Sequence, residues 1–197
     1  MAQKGTIDDF KAKVAADFAR PNLFQVDLAF PSTIPQLNNS AITDTGKFTV
    51  RAANLPASQI GVIEVPFRGR VLKIAGDRTF EPWTITIQND SNFALRNAFE
   101  IWVSSIQAYN ENFTSAAGLG DADDSSGYFA DMSVHQLARD VKDGEKPKVL
   151  KSYKFYNVFP SNLAAIDLDF GNNDAIEEFT VELQTQYWTP LTPTSND

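Results

Sequence analysis

Hydrophobic positions in this chain keep two periods, and the points where one gives way to the other mark the elements. Trp83, Ile85 and Ile87 alternate with Thr84, Thr86 and Gln88, the two-residue period of a half-buried strand. Further on, Leu95, Ala98, Phe99, Trp102, Val103 and Ile106 recur at helical spacing. They predict an amphipathic helix of about four turns packed on a sheet. Asn89-Asp90-Ser91 precedes it and offers a cap. Alternation returns over 176–188, where Phe179, Val181, Leu183 and Tyr187 interleave with Glu178, Thr180, Glu182, Gln184 and Gln186.

The remaining segments follow the same logic. Thr6 is a predicted N-cap with Asp9 three residues on, and Ile7, Phe10, Val14 and Phe18 then keep helical spacing, so a helical segment is expected over about 6–19. Arg20-Pro21 ends it. Residues 22–30 are rich in β-formers and stop at Pro31, after which a polar loop is expected to about Gly46. Strands are predicted at 48–53, 62–67, 71–75, 128–139, 149–159 and 164–170. Residues 110–127 read as a long exposed loop, and 189–197 as a flexible tail. With no internal repeat and no linker, 1–197 is read as one domain. The expected class is mainly β (α+β): an antiparallel β-sandwich or barrel with one flanking helix.

Composition narrows the chemistry. Fifteen Phe and 43% hydrophobic residues support a packed core without metal or disulfide, and the absence of Cys removes thiol nucleophiles and Cys-ligated zinc. Met1-Ala2-Gln3-Lys4-Gly5 leads straight into a charged amphipathic segment, so no secretory signal is expected. No stretch approaches the roughly 18 apolar residues of a spanning helix, so a soluble chain without a membrane anchor is expected. Net charge is −8, against a surface that grips nucleic acid. Lys142, Lys146, Lys148, Lys151 and Lys154 cluster, and no Lys or Arg follows them. The remainder carries Asp167, Asp169, Asp174, Glu177, Glu178 and Glu182.

Candidate catalytic groups each meet an ordinary alternative. His135, the sole histidine, lies in an alternating strand with no recognisable nucleophile motif beside it, and reads as a strand histidine. Asp121, Asp123, Ser125 and Gly127 partly match a calcium loop, but Ser126 stands where the loop glycine belongs and Met132 where the bidentate Glu belongs. Gly118-x-Gly120 lacks the third glycine and the flanking elements of a phosphate cradle. Asp167 and Asp169 share one face of the predicted 164–170 strand, opposite Ile166, Leu168 and Phe170, the pattern of a solvated face. No enzyme, cofactor or metal site is expected.

Several segments resemble the tail tube protein of contractile-tailed bacteriophages of the T-even kind. Asp17-Phe18-Ala19-Arg20-Pro21-Asn22-Leu23-Phe24-Gln25-Val26 is similar to that family's entry into its first strand, and Leu55-Pro56 to its next turn. Ala75-Gly76-Asp77-Arg78-Thr79-Phe80, followed by Trp83-Thr84 and Asn89-Asp90, is the most specific match. Arg96, Phe99 and Trp102 fit its helix, Ala138-Arg139-Asp140 its following strand, and Phe179, Val181, Leu183, Tyr187 and Trp188 its last strand. The anchors run in order from about residue 17 to residue 188. The 110–127 loop, the 38–46 stretch and the tail after Trp188 depart from the pattern.

The resemblance implies a virion structural protein, assembled in the bacterial cytoplasm, whose six copies close a ring with a continuous lumenal β-barrel. Stacked rings would then form the inner tube, the conduit for DNA ejection and the core around which the sheath assembles and contracts. Implied partners are the sheath, baseplate, tail terminator and tape measure proteins, with double-stranded DNA passing without specific binding. Asp167, Asp169, Glu178, Glu182, Gln184 and Gln186 are the expected lumen-facing set. Lys146, Lys148, Lys151 and Lys154 are the expected subunit or sheath contacts. A tube from a tailocin, a type VI secretion system or an extracellular injection particle, a tube-like baseplate protein, and a soluble enzyme or ligand-binding β-sandwich are the alternatives to this reading.

Overall fold

A computed structural model describes residues 6–14, 18–110, 113–114, 127–139 and 147–191. Among these residues three α-helices, α1 (Ile7–Lys13), α2 (Ser40–Thr49) and α3 (Ala94–Ile106), and a short 3-10 helix (Pro35–Leu37) accompany nine strands. In chain order these are β1 (Phe24–Asp27), β2 (Val50–Ala53), β3 (Ser58–Phe67), β4 (Arg70–Phe80), β5 (Trp83–Gln88), β6 (Ala130–Leu137), β7 (Val149–Leu163), β8 (Glu178–Gln184) and β9 (Tyr187–Leu191). Seven of them form one antiparallel sheet in the order β1-β6-β7-β8-β5-β2, with β9 added on β7. The other two, β3 and β4, pair only with each other as a hairpin.

A bend in β7 turns the large sheet into a sandwich. Asn157 takes a left-handed φ of 53°, and its N–H is donated at 3.0 Å to Asp131 Oδ1 instead of to a ladder partner. As far as Val158 β7 pairs β6, with β9 alongside Ser152 to Tyr156, and from Phe159 to Leu163 it pairs β8. Asp131 also receives Lys154 Nζ at 2.8 Å, so one carboxylate holds the kink residue and the strand that leads into it. The two wings then face each other, and Trp83 stacks on Phe155 with ring centroids 4.2 Å apart. Val26, Ile85, Ile87, Met132, Val134, Phe179, Val181 and Leu183 complete a continuous buried core.

The helix α3 closes this core with Leu95, Ala98, Phe99 and Trp102, as its spacing predicts. Asp90 accepts the Ala94 N–H at 3.0 Å and satisfies an orphan donor of the first turn. The indole N–H groups of Trp83 and Trp102 are donated to the Asn54 and Tyr128 carbonyls, so large apolar rings are buried without an orphaned polar atom.

Four expectations need correction. Residues 40–49 are helical, where a loop to about Gly46 and a strand from 48 were expected: Asn39 caps α2 through the Ala41 N–H, and Gly46 lies against Leu28, whose side chain a Cβ there would meet at 2.8 Å. Polar Ser and Thr residues hide the helix from a hydrophobic-period reading, and two helices therefore flank the sheet. The 164–170 segment forms no strand. The predicted 176–188 strand is two, broken at Thr185 and Gln186, because β8 pairs β5 and β7 while β9 turns back onto the other half of β7. Residues 189–191, expected in the tail, belong to β9, where Thr189, Pro190 and Leu191 pair Lys154, Tyr153 and Ser152. In the N-terminal segment Thr6 caps α1 as expected, yet the helix buries no residue. Most of the 110–127 loop and all of 192–197 lie outside the described residues.

Candidate functional site: an acidic sheet face and an uncovered hairpin

The outward face of β5 and β8 is the largest consequence of their alternation. With Trp83, Ile85, Ile87, Phe179, Val181 and Leu183 turned into the core, the register places Thr84 opposite Glu182, Thr86 opposite Thr180, and Gln88 opposite Glu178. Gln184 continues the row, bonded through Nε2 to Glu182 and to Ser161 of β7. Arg51 of β2 ion-pairs with Glu178. The result is a plane of Thr, Gln and carboxylate carried by four neighbouring strands, β2, β5, β8 and the second half of β7.

The expected lumen set is thus only partly gathered. Glu178, Glu182 and Gln184 lie together on this face. Gln186 sits in the break between β8 and β9, its N–H donated to the Tyr156 carbonyl. Asp167 and Asp169 lie in the irregular 164–177 segment, where Asp169 Oδ1 accepts the Gly171 N–H at 2.8 Å and the neighbouring Leu168 and Phe170 project into solvent. The lysine cluster is divided as well. Lys154 is engaged by Asp131, Lys151 lies over the Tyr153 ring at 5.7 Å, and Lys148 offers its carbonyl to Ala138 N. Lys142 and Lys146 lie outside the described residues, as do Gly118, Gly120, Asp121, Asp123 and Ser125.

His135 has closer company than its sequence neighbours imply. Its Nε2 lies 3.0 Å from Asp27 Oδ2, and its Nδ1 lies 2.7 Å from Ser152 Oγ. The His135 hydrogen bond holds the Asp27 carboxyl below its ordinary range, against the opposing effect of burial and with help from Gln25. Ser152 retains 6% exposure, so its hydroxyl is enclosed, and the trio acts as a cross-tie between β1, β6 and β7. Residues 108 positions apart gave no signal in sequence; only the strand register brings them together. A groove of about 720 Å³ between residues 33–36 and α3 has Glu100 and Tyr109 as its ionisable lining, and Glu100 is bound to Arg96 at 2.7 Å. Among the described residues there is no group of three potential metal ligands, and no helix is long and apolar enough to cross a membrane.

The feature missed in sequence is the hairpin. β3 and β4 were expected as ordinary strands, yet they leave the sandwich as a free ribbon with an Arg68-Gly69 turn at φ 45° and 83°. Direct pairs share a face, which puts Ile63 with Ile74, Val65 with Leu72 and Phe67 with Arg70 on one side. Every one of these apolar side chains is exposed. A continuous apolar ribbon of this kind marks a surface meant to be covered.

A sandwich with a closed core, a uniform polar face and an uncovered apolar ribbon defines an assembly subunit, a chain whose surface is completed by others. The chain belongs to the phage tail tube protein family, whose model matches residues 19–190. It is 32% identical over 183 residues to the tail tube protein gp19 of Enterobacteria phage T4, covering 92% of this chain and 98% of that one. The fold recurs in a chain of the anti-feeding prophage baseplate, with a TM-score of 0.57, 16% identity and 88% and 95% of the two chains covered. It recurs again in a chain of the sheath–tube complex of an extracellular contractile injection system, with a TM-score of 0.52, 15% identity and 92% and 97% covered. The family is a structural component of the virion and is not an enzyme class. The resemblance drawn from the spaced anchors and the mainly β class both hold.

Proposed function

We propose that the chain forms rings of six that stack into the inner tail tube, with the β5–β8 face turned to the bore. The four-stranded wing carries the reading. Six copies of β2-β5-β8-β7 supply twenty-four strands, and at about 4.8 Å per strand these close a circle roughly 37 Å across before tilt widens it. That accommodates a duplex about 20 Å wide after side chains intrude. β2 stands at the end of the sheet order, so its outer backbone edge is available to a neighbouring copy. Ring closure would pair it.

Charge supports the orientation. A duplex carries about one negative charge per 1.7 Å, and wall lysines would hold it by releasing counterions. The β5–β8 face offers Glu178, Glu182, Gln88, Gln184 and threonines, and the one arginine beside it is already paired. DNA therefore finds no well to stop in during ejection. Asp167, Asp169 and Gln186 lie off this face and are not assigned to the bore. Lys148 and Lys151 remain the outer-contact candidates for the sheath, whereas Lys154 is committed to Asp131.

In the stack, the hairpin of each subunit is covered by another ring, a heterologous contact that generates an open tube. The tube ends meet baseplate and terminator proteins, and the tape measure occupies the bore before DNA. Electron microscopy of the purified protein, alone and with a baseplate template, tests this. Hollow rods with six-fold rings and Glu182 facing the bore are expected. Permanent monomers under both conditions, or a ring with Glu182 on its outer wall, would defeat the proposal.

A further inference from the structure

Two exposed regions of opposite charge sit at opposite ends of the same sheet. Strand β5 runs from Trp83, paired with Leu183, to Gln88, paired with Glu178. The hairpin is rooted at the Trp83 end, where Trp83 Nε1 is donated to Asn54 O, Trp188 Nε1 to Ala57 O, and Phe80 packs edge-on against Trp188. The 164–177 segment is rooted at the other end. Ala164 N is donated to Thr180 O, and Asn89 holds Glu177 through both backbone and side chain at 2.9 and 2.7 Å.

The hairpin tip is basic and apolar. Arg68 and Arg70 flank Gly69, and among the described residues no ion pair engages either arginine. Lys73, by contrast, is answered within the hairpin by Glu64 at 3.7 Å. Around the arginines stand Phe67, Val71 and Leu72 with 68%, 52% and 61% exposure. The 164–177 segment is the complement. It holds Asp167, Asp169, Asp174 and Glu177 with no Lys or Arg, and Leu168 and Phe170 are 84% and 107% exposed beside the acids. Asp169 fixes the local turn by accepting the Gly171 N–H, so Phe170 is presented by a defined bend. Each region pairs apolar surface with the charge sign the other lacks, which is how register and partner choice are set at an interface.

We infer that the β3–β4 tip of one subunit docks on the 164–177 segment of a second copy. Arg68 and Arg70 face Asp167, Asp169 and Asp174, while Phe67 and Leu72, which share a face of the ribbon, cover Leu168 and Phe170. Donor and acceptor lie at opposite ends of one sheet, so the contact repeats head to tail and does not close on itself. This rests on the stacked-tube reading and names the surface that receives the hairpin.

Charge exchange in the full chain tests it, with tube yield read by sedimentation and electron microscopy against wild type. The pair R68E/R70E, and separately D167K/D169K, each lowers tube yield at least tenfold, and combining all four restores it to within threefold. Wild-type yield from R68E/R70E, or no recovery in the combination, overturns the assignment. Because the sequence has no Cys, an R70C/F170C chain provides a second readout that does not rely on charge. Oxidised tubes of this variant give a ladder of covalent multimers, and tubes that yield only monomer on a non-reducing gel overturn it equally. Removing residues 62–75 separates the two levels. Loss of tubes together with a missing ladder condemns only the acceptor surface, whereas tubes that persist without the hairpin condemn the stacking reading beneath it.

Discussion

The sandwich and the hairpin use the same residue types to opposite ends. In β5, Ile85 and Ile87 have no exposure at all, whereas Val62 and Ile63 in β3 are 61% and 53% exposed. Both strands are antiparallel and rich in β-branched residues, although β5 has a neighbour on each edge and β3 on one. The difference is the second layer. β5 has the opposite wing over its apolar face, where Trp83 stacks on Phe155, and the hairpin leaves the sandwich before anything can cover it. Burial, not residue preference, decides which of the two stabilises the isolated chain. An apolar residue in the sandwich serves the fold, and one in the hairpin serves the contact between rings that we propose.

The largest expected effect breaks that contrast at its buried side. Trp83→Ala removes the ring stacked on Phe155 and leaves a void between the wings, and unfolding in denaturant should show a loss of about 3–5 kcal/mol. A loss under 1 kcal/mol would mean the wings do not rely on that contact. Next in size is Asp131→Ala, which strips the acceptor from Asn157 N–H at the bend of β7. About 1–3 kcal/mol is expected from the same titration, together with a loss of amide protection at Asn157 in hydrogen exchange.

Smaller still is the Asp27 to His135 tie. The folded-state pKa of Asp27 lies below its unfolded value of 3.8. Its contribution is therefore complete above that value and disappears as pH falls through the lower, folded pKa. Asp27→Asn should reduce stability at neutral pH and flatten the acid limb of a stability-against-pH curve. An unchanged acid limb would show that the tie carries no linkage. Smallest in the free subunit is the double change Ile63→Ser and Val65→Ser. It should alter unfolding by less than about 0.5 kcal/mol, since both side chains are already in water, while tube formation drops sharply. A cooperative loss of fold from these two substitutions would erase the distinction between sandwich and hairpin.

The elements with strict periods were legible in the chain. Trp83–Gln88 is legible with its correct ends and its inward residues, and of the six-residue stripe expected on α3, Leu95, Ala98, Phe99 and Trp102 are buried while Val103 and Ile106 are half-buried. Glu178, Glu182 and Gln184 on one face follow directly from alternation with Phe179, Val181 and Leu183. The misreadings share a cause. Helix α2 is held by an Asn39 cap and by Gly46 against Leu28, contacts that leave no apolar stripe. The 164–170 segment alternates like a strand but finds no neighbouring strand to pair with.

Sequence alone settled the period of each regular segment, the sign of its charge and the order of anchors that marks a tail tube chain, because these depend on neighbours a few positions away. Tertiary structure settled the rest. The break at Thr185 and Gln186, the Asp27, His135 and Ser152 tie, and the hairpin standing free of the core depend on which strands lie side by side. An alternating strand carries the same pattern whether its apolar face meets a core, a helix or open water, and only three-dimensional packing chooses among them.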